Sequence, residues 1–163
     1  MIFILFITFV ILLRIGELIL SKNNERWLLQ NNAKEYGQKH YPFIVSLHAL
    51  FLASLILEYS LKEHESFNLY LMVFYLLLLM FKIWVILSLG KYWNTKIYHI
   101  TGVALIKKGP YKFMKHPNYL IVIAEIAVIP LIFHLYYTAL VFTILNLIML
   151  KVRISIENKV LGV

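Results

Sequence analysis

Two short polar stretches interrupt the apolar C-terminal half of the chain, and both contain residue types that do chemistry. The first is GPYKFMKHPNY, residues 109–119, and the second is RISIEN, residues 153–158. Pro117 restricts His116 to extended or turn geometry and suits the first turn of a following helix. We therefore expect His116 at a helix entrance, where unpaired N–H groups and a partial positive charge favour a bound carboxylate or phosphate.

Arg153 and Glu157 lie four residues apart in the second stretch. On a helix this spacing brings both side chains onto one face. If the apolar residues between the two stretches form a helical hairpin, Arg153 and Glu157 return to the same end as His116. Spacing alone leaves two interpretations open: a site for binding and catalysis, or an ordinary helix cap beside an interfacial ion pair.

The elements that position these residues are predicted to be membrane helices. Of the 163 residues, 61% are hydrophobic and only 15% are charged, whereas about a quarter are charged in soluble domains. Arg14 and Glu17 in the first apolar run, without a clear cleavage site, favour a retained helix over a signal peptide. We predict an all-α membrane protein with one domain, residues 1–163, and five spans whose last two form a hairpin. The runs that approach the length of a span, about 20 residues, are 2–20, 43–61, 69–89, 118–133 and 136–152.

Lysine and arginine residues are concentrated in alternate connections. The connections after the first and third runs, together with the C-terminal end, contain Lys22, Arg26, Lys34, Lys39, Lys91, Lys96, Lys107, Lys108, Lys112, Lys115, Lys151, Arg153 and Lys159. The positive-inside rule then predicts an N-terminus outside a bacterial-type cytoplasmic membrane, with the third connection, the C-terminus and the site in the cytoplasm. The net charge of +8 is interpreted as this topology signal, and not as a nucleic-acid footprint.

Charged residues inside the apolar runs need partners, because each is costly in a bilayer. Arg14 and Glu17 are three residues apart and are expected to pair with each other. Lys82 and Glu58 lie nearer span ends, and we assign them no role. Glu125 has no basic residue within a turn, so either it is buried beside a polar group of another helix or it borders a polar cavity.

At its polar stretches the sequence resembles the isoprenylcysteine carboxyl methyltransferase family of small integral-membrane enzymes. The family pattern reads here as Gly-Pro-Tyr at 109–111, Lys-His-Pro-Asn-Tyr at 115–119 and Arg-Ile-Ser-Ile-Glu-Asn at 153–158. Lys115 stands where arginine is common, and Asn158 stands where a second glutamate is usual. The stretch LGKYWNTKIYHITG, with HPNYL and Glu125, is more similar to the bacterial branch found beside polyketide synthases that make alkylpyrones.

The resemblance implies that S-adenosylmethionine is the cofactor and that its methyl group passes to an oxygen of a lipophilic acceptor. That oxygen belongs to a carboxylate or an enolic hydroxyl, as in an isoprenylcysteine-like compound or an alkylpyrone. Arg153 is implied to orient the acceptor, and Glu157 to hold Arg153 or the cofactor's ammonium group. We also assign Asn118 and Glu125 to the acceptor pocket. The implied cofactor-binding residues are Val103, Leu105, Ile106, Gly109, Tyr111, His116, Pro117 and Tyr119.

Other functions are also considered. A small transporter would use Glu17, Lys82 and Glu125 as its pathway, although no inverted repeat is visible, and a non-catalytic membrane protein would use the His-Pro pair only as a cap. No metal or haem site is expected, because there is no cysteine and no two of the six histidines lie at helical pairing distance. His48 and His116 fall in or near spans, and the other four, His40, His64, His99 and His134, fall in loops or interfaces. The acceptor's identity and the oligomeric state are left open.

Overall fold

A computed structural model describes residues 1–62 and 66–162, so His64 lies outside the described residues. The described chain contains five α-helices and two short strands. Two short 3-10 turns, Gly90–Tyr92 and Gly109–Lys112, flank the connection that follows the third helix. In chain order the elements are α1 (Ile2–Gln30), β1 (Lys34–Tyr36), α2 (Tyr41–Leu61), α3 (Leu69–Leu89), β2 (Ile97–His99), α4 (Pro117–Leu131) and α5 (Tyr136–Leu161).

Four helical stretches are long and apolar enough to cross a membrane: Ile2–Gln30, Tyr41–Leu61, Leu69–Tyr92 and Tyr136–Leu161. The helical membrane fold predicted from the sequence is therefore confirmed in this coarser form. Helix α4 has only 15 residues, or about 22 Å at 1.5 Å per residue, which is shorter than the roughly 30 Å of a bilayer core. A count of five complete spans stays a prediction.

The first and last helices continue well beyond the predicted spans, which end at residues 20 and 152. Helix α1 runs on to Gln30, and its polar last turns bind the segment after α3. Asn24 Nδ2 donates to the Trp93 carbonyl at 2.7 Å, and Ser21 Oγ donates to Asn94 Oδ1 at 3.0 Å. Because α5 also continues, to Leu161, Arg153 and Glu157 remain on a regular helix.

A two-stranded antiparallel ribbon was not predicted. It pairs Lys34 with His99 and Tyr36 with Ile97. Strands of three residues are too short to show an alternating pattern in a sequence. The ribbon joins the α1–α2 connection to the α3–α4 connection, which contains part of the candidate functional site described below.

Helices α4 and α5 form the predicted hairpin, and hydrogen bonds hold its bend near the ends of α2 and α3. Asn68 N–H donates to the Ile132 carbonyl at 2.8 Å, and Lys62 Nζ donates to the His134 carbonyl at 2.8 Å. Beside this bend, the rings of Phe3 and Tyr59 stack with centroids 3.6 Å apart. The bend therefore fixes one end of the bundle, and the opposite end carries the polar stretches.

Four charged residues form an interior ion cluster: Arg14, Glu17, Lys82 and Glu125. Arg14 pairs with Glu17 at 2.9 Å and with Glu125 at 2.8 Å, while Lys82 pairs with Glu125 at 3.0 Å and also contacts Glu17. The predicted Arg14–Glu17 pair is confirmed. Glu125, 1% exposed, is buried beside polar groups of other helices, which was the first of its two interpretations.

Candidate functional site

A cavity of about 370 Å³ lies between the segment after β2, the start of α4 and the end of α5. We call it the loop cavity, and its volume is in the range of small-molecule sites. The predicted cofactor residues among its lining residues are Val103, Leu105, Ile106, Tyr111, His116 and Tyr119. Gly109 and Pro117, the other two, do not line it, so their contribution is to the backbone that shapes it.

Gly109 packs the loop against α3. Its φ is +55°, in the left-handed region that favours glycine. A Cβ at this position would overlap Ser88 Oγ and come within 3.2 Å of Trp84 Nε1. Gly109 therefore lets the loop approach α3 closely before it turns into the cavity wall.

Pro117 begins α4 with His116 as the residue before it, as predicted. The His116 side chain makes no hydrogen bond to the first turn of the helix. Instead its Nε2 lies 2.9 Å from Asn158 Oδ1, and its Nδ1 lies 3.8 Å from Glu157 Oε2. The imidazole is thus held on the cavity wall by α5, next to the N-terminus of α4.

Arg153 and Glu157 are joined through the Tyr119 hydroxyl. Arg153 Nε donates to Tyr119 Oη at 2.8 Å, and the Tyr119 hydroxyl donates to Glu157 Oε2 in a short hydrogen bond. Among the described residues Arg153 and Glu157 form no direct ion pair. Direct contact between Glu157 and Arg153, which the four-residue spacing permits, is thus replaced by a contact through the tyrosine hydroxyl. The alternative, that Glu157 holds the cofactor's ammonium group, stays a prediction.

Asn158 has a structural partner that the sequence did not reveal. Its side-chain oxygen faces His116 Nε2, while the neighbouring Glu157 faces Tyr119 and the Nδ1 edge of the same imidazole. We refer to His116, Tyr119, Arg153, Glu157 and Asn158 as the site cluster. It links the start of α4 to the end of α5 at the mouth of the hairpin.

The electrostatics of the loop cavity favour an anionic group. Its charged lining residues are Lys96, Lys107, Lys115, Arg153 and Glu157. Lys96 is already paired with Glu25 and Glu35, which leaves three cations against one carboxylate. Burial, together with the nearby carboxylate of Glu157, raises the pKa of the Tyr111 hydroxyl well above its ordinary value. Tyr111 therefore keeps its proton to a higher pH than an exposed tyrosine does.

A second cavity, of about 330 Å³, lies among α1, α2, α4 and α5, and its lining surface is mainly apolar. We call it the lipid cavity. Trp93, Asn118, Tyr119 and Arg153 line both cavities. Asn118 is thus on the shared wall, whereas Glu125, also assigned to the acceptor pocket, lines neither and is enclosed by Arg14 and Lys82.

Sequence reasoning missed Trp93 and Asn146. Both are buried, and neither Trp93 Nε1 nor Asn146 Nδ2 has a hydrogen-bond partner among the described residues. Asn118 Oδ1 is likewise unpartnered. Asn146 could have been singled out from the sequence, because it lies in the middle of the apolar run 136–152 and uncharged polar residues in such helices also need partners.

A known protein family matches the part of the chain that contains this site. The model of the isoprenylcysteine carboxyl methyltransferase (ICMT) family matches residues 70–162, a range that contains all of α3 except its first residue, the loop cavity segment and the site cluster. The chain is 44% identical to the uncharacterized protein YpbQ of Bacillus subtilis, with 96% of this chain and 95% of that protein covered. It is 30% identical to an uncharacterized protein of Haemophilus influenzae, with 94% and 91% covered. No solved structure matches the chain.

The family match and the apolar helices lead to the same class of protein, a methyltransferase of the membrane. The residues that carried the resemblance, from the Gly-Pro-Tyr turn to the Arg-Glu helix, all lie inside the matched range. The chain belongs to the isoprenylcysteine carboxyl methyltransferase family.

Proposed function

We propose that this protein transfers a methyl group from S-adenosylmethionine to an oxygen, carboxylate or enolic hydroxyl, of a lipophilic acceptor. The observation that supports this most directly is the shared wall of the two cavities. The loop cavity combines an apolar lining with the cationic side chains of Lys107 and Lys115, the lining surface of the lipid cavity is mainly apolar, and Arg153 and Tyr119 line both. A polar methyl donor and an apolar methyl acceptor would meet at these two side chains.

The residues of the loop cavity fit the carboxylate and adenosine parts of S-adenosylmethionine. Trp93 Nε1 and Asn118 Oδ1 are buried polar atoms without partners on its wall, and such atoms call for a ligand or water. His116 and the start of α4 would hold the carboxylate of the methionyl part, and the segment 103–106 would cover the adenosine. When bound, the cofactor supplies an electrophilic methyl group on a sulfonium.

Arg153 is the residue that would orient the acceptor oxygen. Its Nε is bonded to Tyr119, and its two terminal nitrogens make no hydrogen bond within the described residues. They remain for an anionic oxygen, which a guanidinium binds in a two-pronged geometry. Glu157 would act through Tyr119, fixing the hydroxyl that fixes Arg153. A carboxylate or an acidic enol needs no strong base, so alignment supplies much of the rate acceleration.

The same proposal includes the membrane orientation: the N-terminus outside, and the site and C-terminus in the cytoplasm, as the lysine and arginine distribution predicts. The bilayer then delivers the acceptor and the cytoplasm delivers the cofactor. Reporter fusions to the C-terminus test this, because a reporter that is active only outside the cytoplasm would overturn the orientation.

Purified protein in detergent should bind S-adenosylmethionine and methylate either a synthetic alkylpyrone or a prenylcysteine analogue. Methylation of the pyrone in preference to the prenylcysteine would support the alkylpyrone branch. Absence of cofactor binding by folded protein would overturn the proposal and favour a transporter or a non-catalytic protein. The interior ion cluster argues against transport. A transporter would use Glu17, Lys82 and Glu125 as its pathway, and these residues are paired with each other or with Arg14.

A further inference from the structure

The lipid cavity contains a polar group that the proposed chemistry does not use. Asn146 lies on α5, is 2% exposed and lines the lipid cavity, and its Nδ2 makes no hydrogen bond to the described residues. Burial of a polar side chain without a partner costs about 1 to 3 kcal/mol. A ligand atom in the cavity would remove that cost.

The positions of Asn146 and Arg153 on α5 set the distance between two polar contacts that one ligand could make in the lipid cavity. Seven residues separate them on α5, which is nearly two helical turns, so both side chains lie on one face and line the same cavity. At 1.5 Å per residue their separation along the helix axis is about 10 Å. Leu150 and Met149, between them, also line the cavity and are apolar.

Most other polar residues of the lipid cavity already have partners or lie near Arg153. They include His48, whose Nδ1 lies 2.8 Å from the Ile44 carbonyl, and Lys82, which pairs with Glu17 and Glu125. Arg14 and Glu17 line it from α1 but are paired within the interior ion cluster. Trp93 and Asn118 lie on the wall shared with the loop cavity. Asn146 is therefore a separate recognition point, on the part of the wall that the loop cavity does not share.

We propose that Asn146 is a specificity-determining residue that binds an oxygen on the tail of the lipophilic acceptor. The inference rests on the proposed function: with the methylated oxygen at Arg153, the tail carries a keto or hydroxyl group about 10 Å further along. Between the two oxygens the tail is hydrocarbon, in contact with Leu150 and Met149. The acceptor class is thus a long-chain compound that is oxygenated at its head and again within its chain.

A set of synthetic alkylpyrones tests this directly. One compound has a plain chain, one has a keto group about 10 Å from the head hydroxyl, and one has the keto group much nearer the head. The wild-type protein should prefer the 10 Å compound over the other two by about tenfold, both in methyl transfer and in the concentration needed to stabilise the detergent-solubilised protein against heat. Equal behaviour of the three compounds would overturn the inference.

Asn146→Leu should abolish the preference, so that the three compounds are methylated at similar rates. The matched control is Thr138→Val, which also removes a buried polar group from α5, but one that bonds Ser54 and lines neither cavity. The control should keep the preference. If Asn146→Leu keeps it as well, the residue has no such role, and if that variant does not fold, the wild-type series alone decides.

The thermal readout without cofactor separates this inference from the proposed function. Stabilisation that favours the 10 Å compound, with no methyl transfer to any acceptor, would support the tail site and overturn the methyltransferase proposal. Methyl transfer to all three compounds at equal rates, with equal stabilisation, would support the methyltransferase proposal and overturn the tail site.

Discussion

The interior ion cluster and the site cluster both place charged residues in apolar helices, but they differ in how completely the charges are paired. In the interior, Arg14 and Lys82 each contact both carboxylates, Glu17 and Glu125. In the site cluster, Arg153 reaches Glu157 only through the Tyr119 hydroxyl, beside two cavities.

The difference separates structure from function. Burying a charge is costly wherever it occurs, so four charges that pair with one another stabilise the fold, even though Arg14, Glu17 and Lys82 also line the lipid cavity. A cluster with open hydrogen-bonding positions at a cavity retains a capacity to bind. We therefore assign the interior cluster to stability and the site cluster to chemistry.

The largest expected effect follows from breaking the interior cluster. Glu125→Leu removes the carboxylate that contacts both Arg14 and Lys82, and should destabilise the protein by about 3 to 5 kcal/mol, because buried cations lose a partner. Thermal unfolding in detergent measures this. Adding Lys82→Met to Glu125→Leu should recover part of the loss, and an unchanged unfolding midpoint in the single variant would show that the cluster is not structural.

Breaking the site cluster should instead reduce turnover without unfolding the protein. Arg153→Ala should lower turnover by about 100-fold, as loss of a charge-stabilising donor does, and Glu157→Ala should lower it less. The double variant should cost clearly less than the sum of the two. Methyl transfer to a synthetic alkylpyrone and to a prenylcysteine analogue, with cofactor affinity measured separately, checks this. Strictly additive losses would mean that the two residues act independently.

Tyr119→Phe sharpens the same comparison, because it removes only the hydroxyl that links Arg153 to Glu157. In this background, Glu157→Ala should have little further effect on turnover. A full additional loss would show that Glu157 acts on the acceptor or the cofactor by a route other than Tyr119.

His116→Ala should weaken S-adenosylmethionine binding by about 1.5 to 3 kcal/mol, the value of a hydrogen bond to a charged carboxylate. Titration calorimetry on the detergent-solubilised protein measures the dissociation constant. Lys112→Ala is the control, since Lys112 belongs to the same loop but does not line the cavity. An unchanged constant in folded His116→Ala would refute the role of the imidazole.

The smallest effect is expected at Asn158, which only positions His116. Asn158→Ala should weaken cofactor binding by about 0.5 to 1.5 kcal/mol, the net value of a typical hydrogen bond. Asn158→Asp keeps the oxygen that faces His116 Nε2 and should restore most of the affinity. A loss as large as that of His116→Ala would indicate that Asn158 itself contacts the cofactor.

Several features could be predicted from the sequence because they depend on neighbouring residues. The helices follow from long apolar runs, and the start of α4 follows from the conformational limits of His116 before Pro117. The Arg14–Glu17 pair follows from a three-residue helical spacing. The hairpin, which returns Glu157 to His116, follows from two apolar helices joined by a short bend.

Other features depend on contacts between residues far apart in the chain, and only the tertiary structure decided them. Glu125 met Arg14 across 111 residues and Lys82 across 43, which made it a structural residue with no place on a cavity wall. Tyr119 came between Arg153 and Glu157, and Asn146 was left unpartnered facing a cavity. The physical reason is that helical periodicity fixes which face a residue occupies, whereas burial and pairing depend on which other helix covers that face.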